Sequence, residues 1–93
     1  MTVQELTPQL RQMQRVKTGV EGLLVVRVKE VSAAADAQIQ EGDVITQVNG
    51  QRVTTSEEFG KLVAKAKKGD YLKLYVFNPR AGVSRFALIH LDS

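Results

Sequence analysis

The stretch "EGDVITQVNGQRV", residues 41–53, constrains the fold more than any other part of the chain. Val44, Ile45 and Val48 read as a strand, and Val53 lies on a returning arm. Asn49-Gly50 between them is the strongest short-range signal for a tight hairpin, because such turns need positive φ at both central positions. The stretch also holds two carboxylates, Glu41 and Asp43, with a glycine between them. A catalytic or metal-binding pair would need a proton-transfer partner and a cleft, and the sequence offers neither. Asp43 therefore reads as scaffold, its side chain capping the sharp turn that Gly42 makes into the strand.

The rest of the chain supplies elements of both kinds. Residues 1–5 alternate as a strand, with Met1, Val3 and Glu5 on one side. Thr7-Pro8 is an N-cap followed by proline at the first helical position, where the missing N–H costs nothing. A helix of about two turns follows, with Leu6, Leu10 and Met13 as its apolar residues, and "TGVEG" closes the element. "LLVVRV" is apolar on both faces, as an interior strand is. "SAAADAQ" reads as a short helix capped by Ser32.

The longest helix is expected over residues 56–67, capped by Thr54, Thr55 or Ser56 and ended by Gly69. From Tyr71 to Phe77, Leu72, Leu74 and Val76 alternate with Tyr71, Lys73, Tyr75 and Phe77, which reads as a half-buried strand. The "NPRAG" turn leads into a last strand over residues 83–91. Strands and helices do not alternate as they do in a parallel sheet. The expected fold class is α+β: a five- to six-stranded antiparallel, partly open barrel or sandwich with two to three helices.

Ninety-three residues with 43% apolar and 25% charged side chains make one soluble domain, residues 1–93, too small for a two-domain enzyme. The longest apolar run, Leu23 to Val26, is far too short to enter a bilayer. No cysteine is present, so disulfides and thiolate metal sites are excluded. The N-terminus lacks the basic-then-apolar layout of a secretion signal, so no address is expected in the chain itself. Net charge is +3, with lysines at 61, 65, 67 and 68. Nucleic-acid grooves interleave cations with stacking aromatics, but the nearest aromatic, Phe59, falls on the opposite side of that helix. The lysines read as a solvated face, and nucleic acid is not an expected partner.

At 100° per residue the long helix divides into three sectors. Phe59, Leu62 and Ala66 form the core stripe, with Val63 at its margin, while Glu57, Glu58, Lys61, Lys65 and Lys68 point to water. Ser56, Gly60, Val63 and Lys67 form a third sector, neither bulky core nor fully charged. A mid-helix glycine costs roughly 1 kcal/mol relative to alanine, so Gly60 calls for a reason, such as another backbone lying close.

"SAAADAQIQEGDVITQVNGQRV" resembles the PDZ-domain stretch S-P-A-A-x-A-G-L-x-x-G-D-V-I-x-x-V-N-G-x-x-V. "LTPQLRQ" ahead of "GLLVVRV" resembles the inserted helix of PDZ domains in the bacterial HtrA/Deg serine proteases. The likeness runs from Met1 to about Leu91. Ala33 stands where the pattern has proline and Gln38 where it has glycine, so a positive φ at Gln38 would carry a small strain cost.

The resemblance implies a module in which an extended peptide adds as a strand beside residues 1–5 while the long helix closes the groove. Met1, Thr2 and Val3 would form one wall, and Ser56, Gly60 and Val63 the other, with Leu10 and Met13 as candidates at its border or as core. Gly60 would let a peptide side chain lie against the helix. The family's carboxylate-binding turn would fall immediately before or at Met1. The expectation is thus a groove with a reduced hold on a terminal carboxylate, a loss of roughly 1.5–3 kcal/mol, or about 10- to 150-fold.

Catalysis is not expected of this chain. Serines 32, 56, 84 and 93 lack a nucleophile-elbow context, and the lone histidine, His90, reads as a strand residue. One histidine and scattered acids do not make a metal site, and no cofactor is expected. The implied parent is a serine endopeptidase with its catalytic domain upstream, in the periplasm or cell envelope. The implied partners are peptide or unfolded-protein C-termini, that upstream domain and sister subunits. The alternative is a structural PDZ domain that mediates assembly, and a further reading is a module of another processing protease, which the "LTPQLRQ" helix argues against.

Overall fold

The computed structural model describes residues 2–17, 19–29, 33–67 and 69–90. Six strands and three helices follow in the order β1 (Thr2–Glu5), α1 (Pro8–Gln14), β2 (Leu23–Arg27), α2 (Ala33–Asp36), β3 (Val44–Val48), β4 (Gln51–Arg52), α3 (Ser56–Lys65), β5 (Tyr71–Asn78) and β6 (Val83–His90). The strands form one antiparallel sheet in the order β1-β2-β3-β5-β6, with β4 paired to β3. The fold is α+β with an open six-stranded antiparallel sheet, as the sequence leads one to expect.

Local chemistry accounts for most of the boundaries. The Thr7 hydroxyl accepts the Leu10 N–H at 3.1 Å, and Pro8 opens α1. At the β3–β4 hairpin Asn49 and Gly50 have φ of 51° and 83°, the positive pair that a two-residue turn requires. Asn49 Oδ1 also accepts the Lys73 N–H at 2.9 Å, tying the turn to β5. Asp43 is 3% exposed and accepts the Gln40 N–H at 3.0 Å, while Gly42 turns at φ 96°. The opening carboxylate pair is thus divided: Glu41 faces water and Asp43 braces a buried turn. Gln38 does adopt a positive φ, 65°.

The sheet separates two apolar clusters. β2 divides itself between them, with Leu23 and Val25 on one side and Leu24 and Val26 on the other. The larger cluster gathers Ile45, Val48, Val53, Leu72, Leu74, Val76 and Ile89, covered by α2 and by Phe59, Leu62, Val63 and Ala66 at α3. The smaller holds Leu24, Val44 and Phe77 under Leu6 and Leu10, with Val16 and Val20. Full burial of one such side chain stabilises by about 1.5–3 kcal/mol. At Gly22, just before β2, the backbone comes so close to β3 that a Cβ would strike the Ile45 carbonyl.

Two expectations, the exposure of Phe77 and the end of the long helix, need correction. Phe77 belongs by alternation with the solvent-facing set, yet it is 6% exposed, because Leu6 and Leu10 cover that end of the second face. The long helix ends at Lys65 rather than Lys67. Ala66 leaves helical space at ψ 145°, and the Asp70 carboxylate accepts the Lys67 N–H at 2.8 Å, so the chain turns early. Gly69, at φ 92°, serves that turn rather than the helix terminus. The Ser32 cap, Lys68, Leu91 and Met1 lie outside the described residues.

Candidate functional site

β1 is an end of the sheet. It pairs with β2 through Thr2↔Arg27, Val3↔Val25, Gln4↔Leu24 and Glu5↔Leu23, with a register shift between Thr2 and Val3. Among the described strands nothing pairs with its other side. Such an edge presents a row of unpaired N–H and C=O groups, a template for an added strand. α3 lies next to β1. Val3 joins Phe59, Leu62 and Val63 among the apolar residues packed against the larger cluster.

The position of α3 is set at its N-terminus by a reciprocal capping box. The Thr55 hydroxyl accepts the Glu58 N–H at 3.1 Å, and Glu58 Oε1 accepts the N–H groups of Thr54 and Thr55 at 3.1 and 3.2 Å. Three backbone donors at the helix start are thereby satisfied. The Thr54 backbone N–H foremost, then the Thr54 hydroxyl, hold the Glu58 carboxyl below its ordinary value of 4.5. Glu57 and Lys61 pair at 3.3 Å on the exposed side.

Gly60 sits in the middle of α3, and a Cβ built there would meet nothing within 4 Å. Among the described residues no neighbouring backbone explains the glycine. Ser56 and Gly60 are exposed, Val63 is half-buried, Thr2 is exposed and Val3 half-buried. Val3 and Val63 both pack against the larger cluster. Leu10 packs in the smaller cluster across the sheet. Met13, on the same helix, is 68% exposed.

Other features involve other residues. A cleft of about 250 Å³ is lined by Val20, Thr46, Arg52, Tyr75, Phe77 and neighbours. Lys61 and Lys65 flank a shallow recess with Arg52, Glu58 and Leu62. His90 is exposed and stacks on Tyr71, ring centroids 4.7 Å apart. Reasoning from sequence also passed over the arginines that brace the loops. Arg11 bridges to Glu21 at 3.0 Å, and Arg80 donates to the Glu41 carbonyl at 2.9 Å. No helix among the described residues is long and apolar enough to cross a membrane.

Comparison with known proteins gives this geometry a context. The PDZ domain family matches residues 2–78. A probable periplasmic serine endoprotease, DegP-like, of Chlamydia trachomatis is 36% identical over 90 residues, which are 97% of this chain and 18% of that protein. The chain thus spans under a fifth of the curated relatives it matches. Among solved structures, the HtrA3 PDZ domain bound to a phage-derived ligand (FGRWV) has a TM-score of 0.79 at 27% identity, over 97% of this chain and 79% of that one. The HtrA-type protease AlgW with a decapeptide has a TM-score of 0.82 over 97% of this chain and 27% of that one. At 23% identity the latter likeness is one of fold.

Proposed function

Because this chain belongs to the PDZ-domain family, we propose that it is the peptide-recognition module of a larger HtrA/Deg-type serine endopeptidase. The observation that carries the reading is the unpaired edge of β1 facing a helix whose central residue, Gly60, has open space before it. An extended peptide adds beside β1 as a further antiparallel strand. Main-chain hydrogen bonds hold it with little regard to sequence, and alternate side chains turn toward α3. Thr2 and Val3 form the strand wall and Ser56, Gly60 and Val63 the helix wall, with Met13 of α1 a further candidate contact. Leu10, packed under the sheet, positions α1 rather than touching the peptide. The mixed valine and glycine walls favour small or medium apolar side chains.

The role in the parent is delivery of unfolded-protein C-termini or exposed apolar segments to a protease domain elsewhere in the polypeptide. Support comes from the ligand-bound HtrA3 neighbour and from relatives named as periplasmic serine endoproteases. Those names also favour a periplasmic or envelope location. A structural role in assembly is the second reading, favoured by the exposed apolar side chains of β5 and β6.

Titration calorimetry with an apolar peptide and its backbone N-methylated counterpart tests the first reading. Each main-chain hydrogen bond contributes about 0.5–1.5 kcal/mol, so removing two donors on the β1-facing side should weaken binding roughly tenfold or more. Equal affinity for the two peptides would mean that no strand is added.

A further inference from the structure

β6 ends the sheet on the side away from β1, and it is the longer and more regular of the two edges. It runs eight residues and pairs with β5 without a break, from Tyr71↔His90 to Asn78↔Val83. α2 packs on its inner side, and among the described strands its outer edge has no partner. Natural sheets guard such edges with lysine, proline, bulges or a covering loop. β6 contains no lysine, no proline and no register shift. Its one arginine, Arg85, is turned away to the carbonyls of Ala37 and Gln38, at 3.4 and 2.6 Å. Apart from Met13, the large apolar side chains most exposed among the described residues are Tyr71, Val83, Phe86 and Leu88, all on β5 or β6. Tyr75 and Lys73 hold Phe86 in place, with its ring centroid 4.8 Å from that of Tyr75 and 4.7 Å from Lys73 Nζ.

We propose that β6 pairs antiparallel with β6 of a second copy of this chain, across a twofold axis, joining the two sheets into one. Strand geometry restricts how this can happen. Directly opposed residues of an antiparallel pair lie on the same face, so a strand can meet itself only in registers whose residue numbers sum to an even value. The register centred on Ala87 places Phe86 opposite Leu88 of the second copy, and Leu88 opposite its Phe86. The two apolar patches then become continuous on one face, with a small residue at the axis. Arg85 falls opposite Ile89, and Ser84 opposite His90.

Charge permits this register. β6 carries no carboxylate to recruit a basic partner, and the pairing keeps like charges apart. The two Lys73 side chains are separated by three strand spacings, about 14 Å. The two Arg85 are offset by four residues, again about 14 Å. Both distances exceed the ~8 Å screening length at physiological salt. Centring on Phe86 instead would set Leu88 against Ser84 and break the apolar continuity.

Sedimentation equilibrium of the 93-residue chain from micromolar to millimolar concentration, paired with amide exchange, tests the proposal. A reversible dimer is expected, with amide protection in β6 rising with concentration. Leu88→Glu sets a carboxylate opposite Lys73 within its own sheet, so the monomer should hold its fold while the dimer weakens about tenfold or more. Phe86→Lys, also on an exposed position, should do the same. A chain that stays monomeric at millimolar concentration overturns the proposal. So does a dimer indifferent to both substitutions, or one whose protection rises at β1 instead. An apolar peptide bound at β1 should leave the dimer intact, so failure of the groove and failure of this interface read out separately.

Discussion

Replacing Gly60 by alanine should make the protein more stable and a worse binder of peptide. Glycine inside a helix is less favourable than alanine by about 0.8–1.0 kcal/mol. Gly60 is the fifth of ten residues in α3, so the full interior penalty applies. The added Cβ meets nothing within 4 Å in the free chain, so no clash offsets the gain. A gain of ~1 kcal/mol in a domain of this size raises Tm by roughly 4–8 °C. In the peptide complex the same methyl would stand where a peptide side chain lies. Overpacking of that kind costs about 1–3 kcal/mol, which weakens binding roughly 5- to 150-fold. Thermal melts by circular dichroism and calorimetric titration with one peptide measure both effects on the same samples. A lowered Tm would show that the fold itself demands the glycine. A raised Tm with unchanged affinity would show that Gly60 does not border the groove.

Three further predictions follow from local structure. Gly22→Ala drives a Cβ into the Ile45 carbonyl, backbone against backbone; a loss of about 3 kcal/mol or more is expected, read as a lower urea midpoint, and a neutral effect would refute the close approach. Gln38→Gly relieves a left-handed residue at φ 65°, so a gain of up to ~1 kcal/mol is expected in the same assay, and a loss would mean that the side chain contributes more than the strain costs. The Glu58 carboxyl has a folded value below its ordinary 4.5, set first by the Thr54 N–H. Its contribution is therefore full above the ordinary value and lost as pH falls through the lower folded one. Wild type should lose helical signal from α3 in that acid window, and Glu58→Ala should flatten that part of the profile; an unchanged profile would contradict the capping role.

Local features were the most legible in the sequence. The Asn49-Gly50 turn, the Thr7-Pro8 helix start, the two-sided strand at Leu23–Arg27 and the scaffold role of Asp43 all depend on residues within a few positions of one another. Phe77 was not legible, because its burial depends on α1, which covers one end of a face that is otherwise open. The end of α3 was misplaced because the Asp70 side chain, five residues beyond Lys65, captures a backbone N–H that a longer helix would have used. The groove was legible only in part. Gly60 marked the helix as unusual, but Val3 and Val63 come to one cluster only through tertiary packing, and pairing them rested on a family pattern. The β6 edge could not be read at all, since whether a strand ends a sheet is a property of topology and not of its own residues.

The most direct measurement of the central claim is an NMR titration of the backbone amides with an apolar peptide, run with a free and with an amidated C-terminus. Strand addition at β1 predicts shifts concentrated in Thr2–Glu5 and Ser56–Lys65, with β6 and the cleft around Thr46 and Tyr75 unmoved. Shifts centred on those other surfaces, or none at millimolar peptide, would contradict it.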